Sequence, residues 1–330
     1  MTLPRIALTI GDPAGIGPEI IARVLADPAT AGKAEIYLIA SHEALQQGAR
    51  AAGVPMPQAG PNLHIVEWPG QDQRFKPSEV TQENGRFILD ALMLGTRMVQ
   101  EGTCDALCFA PLNKGAMRLG GMHQEDEMRW FAQQLEHTGA CGEFNVLGPM
   151  WTARVTSHVA LKDVASLLSS QGVAGAIRML TTALRAAGNA SPRIGVCGLN
   201  PHNGDNGNYG TEEADIIEPG IRMAAADGFP ALGPYPADTI FLRAKKGALD
   251  GIVTMYHDQG QIATKLLGFD IGVTVQGGLP IPVTTPAHGT AYDIVGQGVA
   301  QATAMASALD LACRMGASHR KAREAAAQPA

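Results

Sequence analysis

The sequence predicts an α/β protein of two domains with mostly parallel sheets. Three observations lead there: a length of 330 residues, an alternation of short apolar runs with helix-period segments, and glycine- or histidine-bearing loops placed straight after the apolar runs. A chain of this length exceeds what one small core organises and suits two domains, or one interrupted by another. Hydrophobic residues make up 45% and charged residues 17% of it, a balance that supplies packed cores and lies far from that of a disordered chain.

Residues 6–10 read as a buried strand, followed by a Gly/Pro loop and a helix over about 18–25, with Pro18 suited to the first helical turn. A second strand covers 36–40, and Ser41 offers an N-cap for the helix behind it. A helical period over 83–101 leads into a strand at 106–108. The middle of the chain repeats this texture, with strands near 145–147, 152–155, 193–196 and 251–254 and helices near 173–187, 212–227 and 239–246. Alternation at this spacing argues for a parallel sheet covered by helices. No internal repeat is visible, and the Ala-rich tail over 322–330 is expected to fray.

Composition excludes several functional classes. A net charge of −6 disfavours a nucleic-acid partner, because neutralising phosphates needs clustered Lys and Arg. The short basic run His319, Arg320, Lys321 and Arg323 reads as a solvated helix tail. Cys104, Cys108, Cys141, Cys197 and Cys313 are odd in number and irregular in spacing, so they read as reduced residues rather than a disulfide framework or a zinc site. No apolar run reaches the roughly 18 to 20 residues that span a bilayer. The N-terminus enters its first strand without a charged leader, so a cytoplasmic, membrane-free protein is expected.

In open α/β sheets ligands gather beyond the carboxyl ends of strands, and unusual chemistry falls in that position here. Residues 11–19 form a loop in which Gly15 and Gly17 permit close backbone approach and Glu19 opens a helix. It does not match the Gly-x-Gly-x-x-Gly fingerprint, which disfavours an ordinary Rossmann domain. His158, His202 and His257 each follow a predicted strand, and three imidazoles at strand exits suit one transition metal. Their spacing is not diagnostic, and each alone also reads as a hydrogen-bonded loop histidine. His288, Gly289, Thr290 and Ala291 open a small-residue segment in which Asp293 can accept a hydrogen bond from a ribose, although Thr290 also reads as a plain helix cap.

Residues 11–19, Ala110-Pro111-Leu112-Asn113-Lys114, 199–204, Pro236-Ala237-Asp238-Thr239, 257–265 and 288–298 together resemble the 4-hydroxythreonine-4-phosphate dehydrogenase family, in family order and over nearly the whole chain. That family resembles isocitrate and isopropylmalate dehydrogenases, whose cofactor segment reads much like 288–298. The resemblance implies a cofactor-side domain over 1–120 and 275–330 and an inserted metal and dimerisation domain over 121–274. It implies a homodimer with an active site shared between subunits, and NAD or NADP as cofactor. It also implies one divalent metal (Zn, Mg, Mn or Co) on His158, His202 and His257.

Where the family carries Gly-His-Thr-Glu, a gap-free reading gives Asp126-Glu127-Met128-Arg129, so Glu127 and Met128 stand at the substrate-binding His and Thr. Thr274 stands at a family Asn and Val283 at a family Arg, while the family substrate lysine is retained as Lys265. Losing a cation and gaining a carboxylate disfavours a phosphate dianion. The expected substrate is therefore an unphosphorylated hydroxy acid of the sugar-acid or dihydrodiol-carboxylate type, oxidised with loss of carbon dioxide where a carboxylate sits β to the new ketone. Asn113, Lys114, Arg129 and Lys265 are the other substrate candidates. Asp238, Asp258 and Lys265 are the candidates for proton transfer, with Asp238 or Asp258 alternatively orienting a histidine. Three alternatives remain open: the family's ordinary activity in pyridoxal phosphate synthesis, a phosphate acyltransferase of similar fold, and a non-catalytic binding protein.

Overall fold

The structure is a computed structural model and describes residues 2–327. Its strands are β1 (Arg5–Thr9), β2 (Glu35–Ile39), β3 (Leu63–Ile65), β4 (Ala106–Phe109), β5 (Gly142–Leu147), β6 (Met150–Arg154), β7 (Ile194–Cys197), β8 (Leu232–Tyr235), β9 (Gly251–Thr254), β10 (Val273–Gly277) and β11 (Val283–Pro286). The chain divides into two compact units, Met1–Thr138 with Leu279–Ala330, and Gly139–Gly278. The first unit runs past the expected boundary at residue 120. The reason is packing: Met122, Trp130, Phe131 and Leu135 are buried in the same cluster as Ile88, Leu107 and Val283, so the segment belongs to the first unit's core.

In the first unit β1 pairs with β2 and β4, β2 with β3, and β4 with β11, all parallel. Ile6, Leu8, Ile36, Leu38, Leu107 and Val283 are almost wholly buried, which is the near-continuous apolar texture of parallel strands covered on both faces. The helices enclosing them start where short polar side chains cap them. Ser41 accepts from Ala44 N for His42–Ala52, and Thr81 accepts from Asn84 N for Gln82–Gln100. In the second unit β10–β5 and β5–β6 are antiparallel pairs, whereas β6–β9, β9–β7 and β7–β8 are parallel. The strands not expected from sequence (β3, β8, β10 and β11) are short or carry Gly or Pro. The expected helix over 212–227 begins instead as a π-helical turn, Glu213–Ile217, and continues as an α-helix over Glu218–Ala226.

The expected fraying of the tail is corrected as far as Ala327, to which the helix Thr303–Ala327 continues; residues 328–330 lie outside the described part. The basic run read as solvated is also corrected in part. Asp105 is fully buried and its carboxylate meets Arg5 (3.2 Å), Arg320 (3.4 Å) and Arg323 (3.2 Å). His319 Nδ1 lies 3.0 Å from the Asp105 carbonyl oxygen. One buried carboxylate thus ties the long C-terminal helix to β1 and to the start of β4.

Removing one partner of a buried ion cluster leaves the others without compensation, so Asp105→Ala should lower stability by about 3 kcal/mol or more in urea denaturation. Lys33→Ala, which removes an exposed pair with Asp310, should change it by less than about 1 kcal/mol. Equal effects of the two substitutions would refute the clamp.

Candidate active site

Parallel pairing of β6 with β9 aligns Arg154 with Thr254. The two strand exits therefore leave side by side, and Thr156 ties them through its N–H and its hydroxyl, both donating to the Met255 carbonyl (3.1 and 2.8 Å). His158 and His257 consequently approach to 5.6 Å between ring centroids. Asp258 Oδ1 lies 2.7 Å from His257 Nδ1, a contact that favours the proton on Nδ1 and leaves Nε2 with a free lone pair.

His202 is held on a different kind of support. It opens a run of left-handed backbone, His202, Asn203, Gly204, Asp205 and Asn206, with φ from 43° to 77°. Successive left-handed residues other than glycine are strained, and side chains compensate. Glu213, 5% exposed, accepts from Leu199 N and Asn200 N at 2.7 Å each, and Asn200 Nδ2 donates to both Glu212 and Glu213. Gln259 then links this loop to the His257 turn, donating to the Gly198 carbonyl (2.8 Å) and accepting from Met255 N (2.7 Å). Glu213 and Gln259 were not singled out from sequence, because a lone polar residue inside a helical segment carries no pattern. Among the described residues no three metal-ligating side chains meet in one chain. Within one chain His158 and His257 come together, and His202 stands on its own loop.

The remaining candidates of this unit are Asp238, Lys265 and Thr274. Asp238 is exposed in the first turn of the helix Ala237–Lys245. Lys265 is exposed on His257–Gly268, the helix that His257 opens, and Thr274 is half-buried on β10.

In the first unit the loop after β1 is pinned to the 288–298 segment. Tyr292 donates its hydroxyl to the Asp12 carboxylate (2.5 Å), Ile16 N donates to the Thr290 carbonyl (3.0 Å), and Ser78 Oγ donates to the Tyr292 carbonyl (2.7 Å). Asp12 is wholly buried. Burial raises its pKa, opposed by the bonds from Tyr292 and Ala14 N, and burial with the Asp12 bond raises that of Tyr292.

Two glycines of this loop stand where the protein's own atoms leave no room for a side chain. A Cβ on Gly15 would stand 2.8 Å from Thr290 Cβ, and one on Gly17 would stand 2.1 Å from the Ile10 carbonyl oxygen. Glu19 is likewise turned inward, 2% exposed and bonded to Arg23 (3.2 Å) and Ala300 N (3.1 Å). Thr290 caps no helix; a short 3-10 turn, Tyr292–Ile294, follows left-handed Ala291 instead. Asp293 is exposed, and nothing crowds Gly289. His288 Nδ1 lies 3.1 Å from the Gly289 carbonyl, with Nε2 buried.

Asn113 caps the helix Lys114–Leu119, accepting from Ala116 N, and Asp126 caps Glu127–Gln134, whose Arg129 is exposed. Lys114 Nζ lies 3.0 Å from Glu127 Oε2, an ion pair by distance although that oxygen accepts no well-directed hydrogen bond. Met128, 3% exposed, and Val283, wholly buried, are core residues. Their expected substrate contacts are corrected: the strand and helix that carry them turn these side chains inward. All five cysteines are free, and burial pushes the thiols of Cys104, Cys108, Cys197 and Cys313 up to about 12, too high for thiolate chemistry at neutral pH.

Parallel sheets with chemistry-bearing loops at the strand exits, and a small-residue segment pinned beside the first loop, define an α/β enzyme, and the comparisons give its reaction class as oxidation of a CH–OH group. The sequence profile of the family described as "Pyridoxal phosphate biosynthetic protein PdxA" matches residues 21–312, and the chain belongs to that family. It is 52% identical to "Putative 4-hydroxythreonine-4-phosphate dehydrogenase 2" of Pseudomonas aeruginosa, covering 96% of this chain and 98% of that protein. It is 34% identical to D-threonate 4-phosphate dehydrogenase of Salmonella typhimurium, covering 96% and 100%.

Among solved structures it is similar to 4-hydroxythreonine-4-phosphate dehydrogenase from Klebsiella pneumoniae (TM-score 0.83, 33% identity, coverage 95% and 98%). It is also similar to a terephthalate 1,2-cis-dihydrodiol dehydrogenase from Burkholderia xenovorans (TM-score 0.67, 26% identity, coverage 94% and 98%). Isocitrate dehydrogenase from Methylococcus capsulatus, at TM-score 0.50, 17% identity and coverage of 98% and 89%, shares the fold. No helix of the described residues is long and apolar enough to cross a membrane.

The Tyr292–Asp12 bond has a pH signature. Asp12 titrates above its ordinary value, so its burial costs least while it is protonated and costs more as pH rises through its folded pKa. Tyr292→Phe removes a bond to the charged form and raises that pKa further. The stability lost in Tyr292→Phe should be small near pH 4 and grow to about 2 kcal/mol at neutral pH. A loss independent of pH in parallel denaturation curves would refute this origin.

Proposed function

We propose that the enzyme oxidises the hydroxyl of a small, unphosphorylated hydroxy acid of the sugar-acid or dihydrodiol-carboxylate type. It would use NAD(P) and a divalent cation held by histidines from two subunits. The observation that carries this reading is the His158–His257 pair, with Asp258 orienting one ring. Two imidazoles at this separation fit a cation that needs further ligands, and His202 of a second copy is the candidate third. Exposed Leu161 (71%), Ile262 (61%) and Leu266 (83%), the first near His158 in sequence and the others on the helix that His257 opens, support burial of this face in a homodimer. When bound, the cation supplies Lewis acidity toward the substrate hydroxyl and the dinucleotide accepts the hydride.

The chain's own residues complete the reading. His288, Gly289, Thr290 and Asp293 would line the dinucleotide, with the exposed Asp293 carboxylate suited to ribose hydroxyls. Asp238 and Lys265 are the candidates to move the hydroxyl proton, and Lys265 also to hold the substrate carboxylate. The carboxylate is lost as carbon dioxide where it lies β to the new ketone.

Against phosphate, Lys114 is already paired with Glu127, and the family's arginine position is Val283, apolar and buried. A dianion at these positions would meet less positive charge, whereas polyol hydroxyls donate readily to a carboxylate. A second reading, a phosphorylated four-carbon acid, is favoured by the names of the P. aeruginosa and S. typhimurium relatives.

Two measurements test these proposals. His158→Ala and His202→Ala chains should each lose bound divalent metal and activity, whereas a heterodimer of the two should regain one intact site, read as about half the wild-type metal content. No recovery in a purified heterodimer would refute the shared site. For substrate, kcat/KM with 4-hydroxythreonine 4-phosphate or D-threonate 4-phosphate should fall at least about a hundredfold below that with the best unphosphorylated acid, equivalent to roughly 2.7 kcal/mol. Comparable turnover of either phosphorylated acid would establish the second reading instead.

A further inference from the structure

Gln276, on β10, is 2% exposed, and among the described residues neither its Oε1 nor its Nε2 has a hydrogen-bond partner. A buried side-chain amide without partners is uncommon enough to require a reason, since both of its polar ends have given up water. Packing alone would be better served by an apolar residue.

The position supplies a reason. Side chains alternate along a strand, so Gln276 shares a face with Thr274, the residue at the family's substrate asparagine. Register places Gln276 beside Glu143 and Thr274 beside Asn145, with Thr152 beside Asn145 on the next strand. On this face Gln276, Thr274, Glu143, Asn145 and Thr152 are neighbours. Glu143 accepts from Arg154 (2.6 Å), and Arg154 in turn donates to Ser157 (2.9 Å), the residue before His158. The row therefore runs from the unpartnered amide to the strand exit that carries the histidine. Glu143, Arg154 and Ser157 satisfy one another, and Gln276 lies beside them with both amide ends unused.

We propose that Gln276 is a specificity-determining residue whose amide reads two adjacent hydroxyls of the substrate, one accepting from Nε2 and the other donating to Oε1. A side-chain amide presents a donor and an acceptor side by side, and neighbouring hydroxyls present the complement. An ionised carboxylate or phosphate, which only accepts, would satisfy Nε2 and set negative charge against Oε1. The residue's role rests on its buried amide; the class of ligand rests on the hydroxy-acid reading above.

The test uses the acid that the wild-type enzyme turns over best, whatever its phosphorylation state. With it, Gln276→Met should raise KM about tenfold or more while kcat and the KM for the dinucleotide stay within about threefold. An analogue lacking one of the two hydroxyls should distinguish wild type from variant by less than about threefold. The variant's melting temperature should be unchanged or higher, because methionine has similar bulk and no unmet polar atoms. Should Gln276→Met fail to fold, Gln276→Asn, which keeps the amide but retracts it by a methylene, is expected to give the same KM rise. An unchanged KM in the variant that folds, or an equal loss with both acids, overturns the proposal. A phosphorylated best substrate would overturn the preceding substrate reading and leave this comparison intact.

Discussion

The parallel pairing of β6 with β9 is the constraint on which the candidate site depends. Parallel neighbours end at the same edge of a sheet, so whatever follows them in sequence is delivered to the same place. Here the register Arg154↔Thr254 delivers His158 and His257 together, although 98 residues separate them in the chain. Thr156 then fixes one exit to the other through the Met255 carbonyl, which converts closeness into a defined separation. The next strand outward, β7, pairs with β9 in the same sense and sends out the loop that carries His202. The site is thus a consequence of sheet direction before it is a consequence of side-chain chemistry.

Buried polar groups divide into two kinds in this molecule. Asp105, Glu213 and Asp12 are each almost wholly buried, and each is surrounded by donors that fix one segment to another. Their work is to hold loops and a terminal helix against elements remote in sequence, and in each case the donors offset the loss of water. Gln276 has the same burial and no hydrogen-bond partner among the described residues. That difference, rather than burial itself, marks a group whose partner comes from outside the chain.

Glycine and acidic residues in the first loop show how a motif can be shaped by the chain packed on it. Gly15 and Gly17 do permit close approach, but what approaches is Thr290 and the Ile10 carbonyl. Glu19 faces Arg23 and Ala300 rather than solvent. The loop is shaped by the segment packed on it, and through Tyr292 and Asp12 the two behave as one structural piece. Substitution within either is therefore expected to disturb both.

The sequence by itself determined the α/β class, the family, the order of the principal elements and the histidines at strand exits. These are properties of local period, of short caps such as Ser41 and of motif order, and all of them act over a few residues. Tertiary structure alone decided which candidates meet. It paired His158 with His257 and left His202 on a strained loop of its own. It joined Lys114 to Glu127, and it turned Met128 and Val283 into the core. It also brought forward Glu213, Gln259, Tyr292 and Gln276, whose roles depend on strand register and on partners distant along the chain. The physical reason is that a side chain's direction follows from which face of its strand or helix is buried, and burial is settled by the pairing of distant segments.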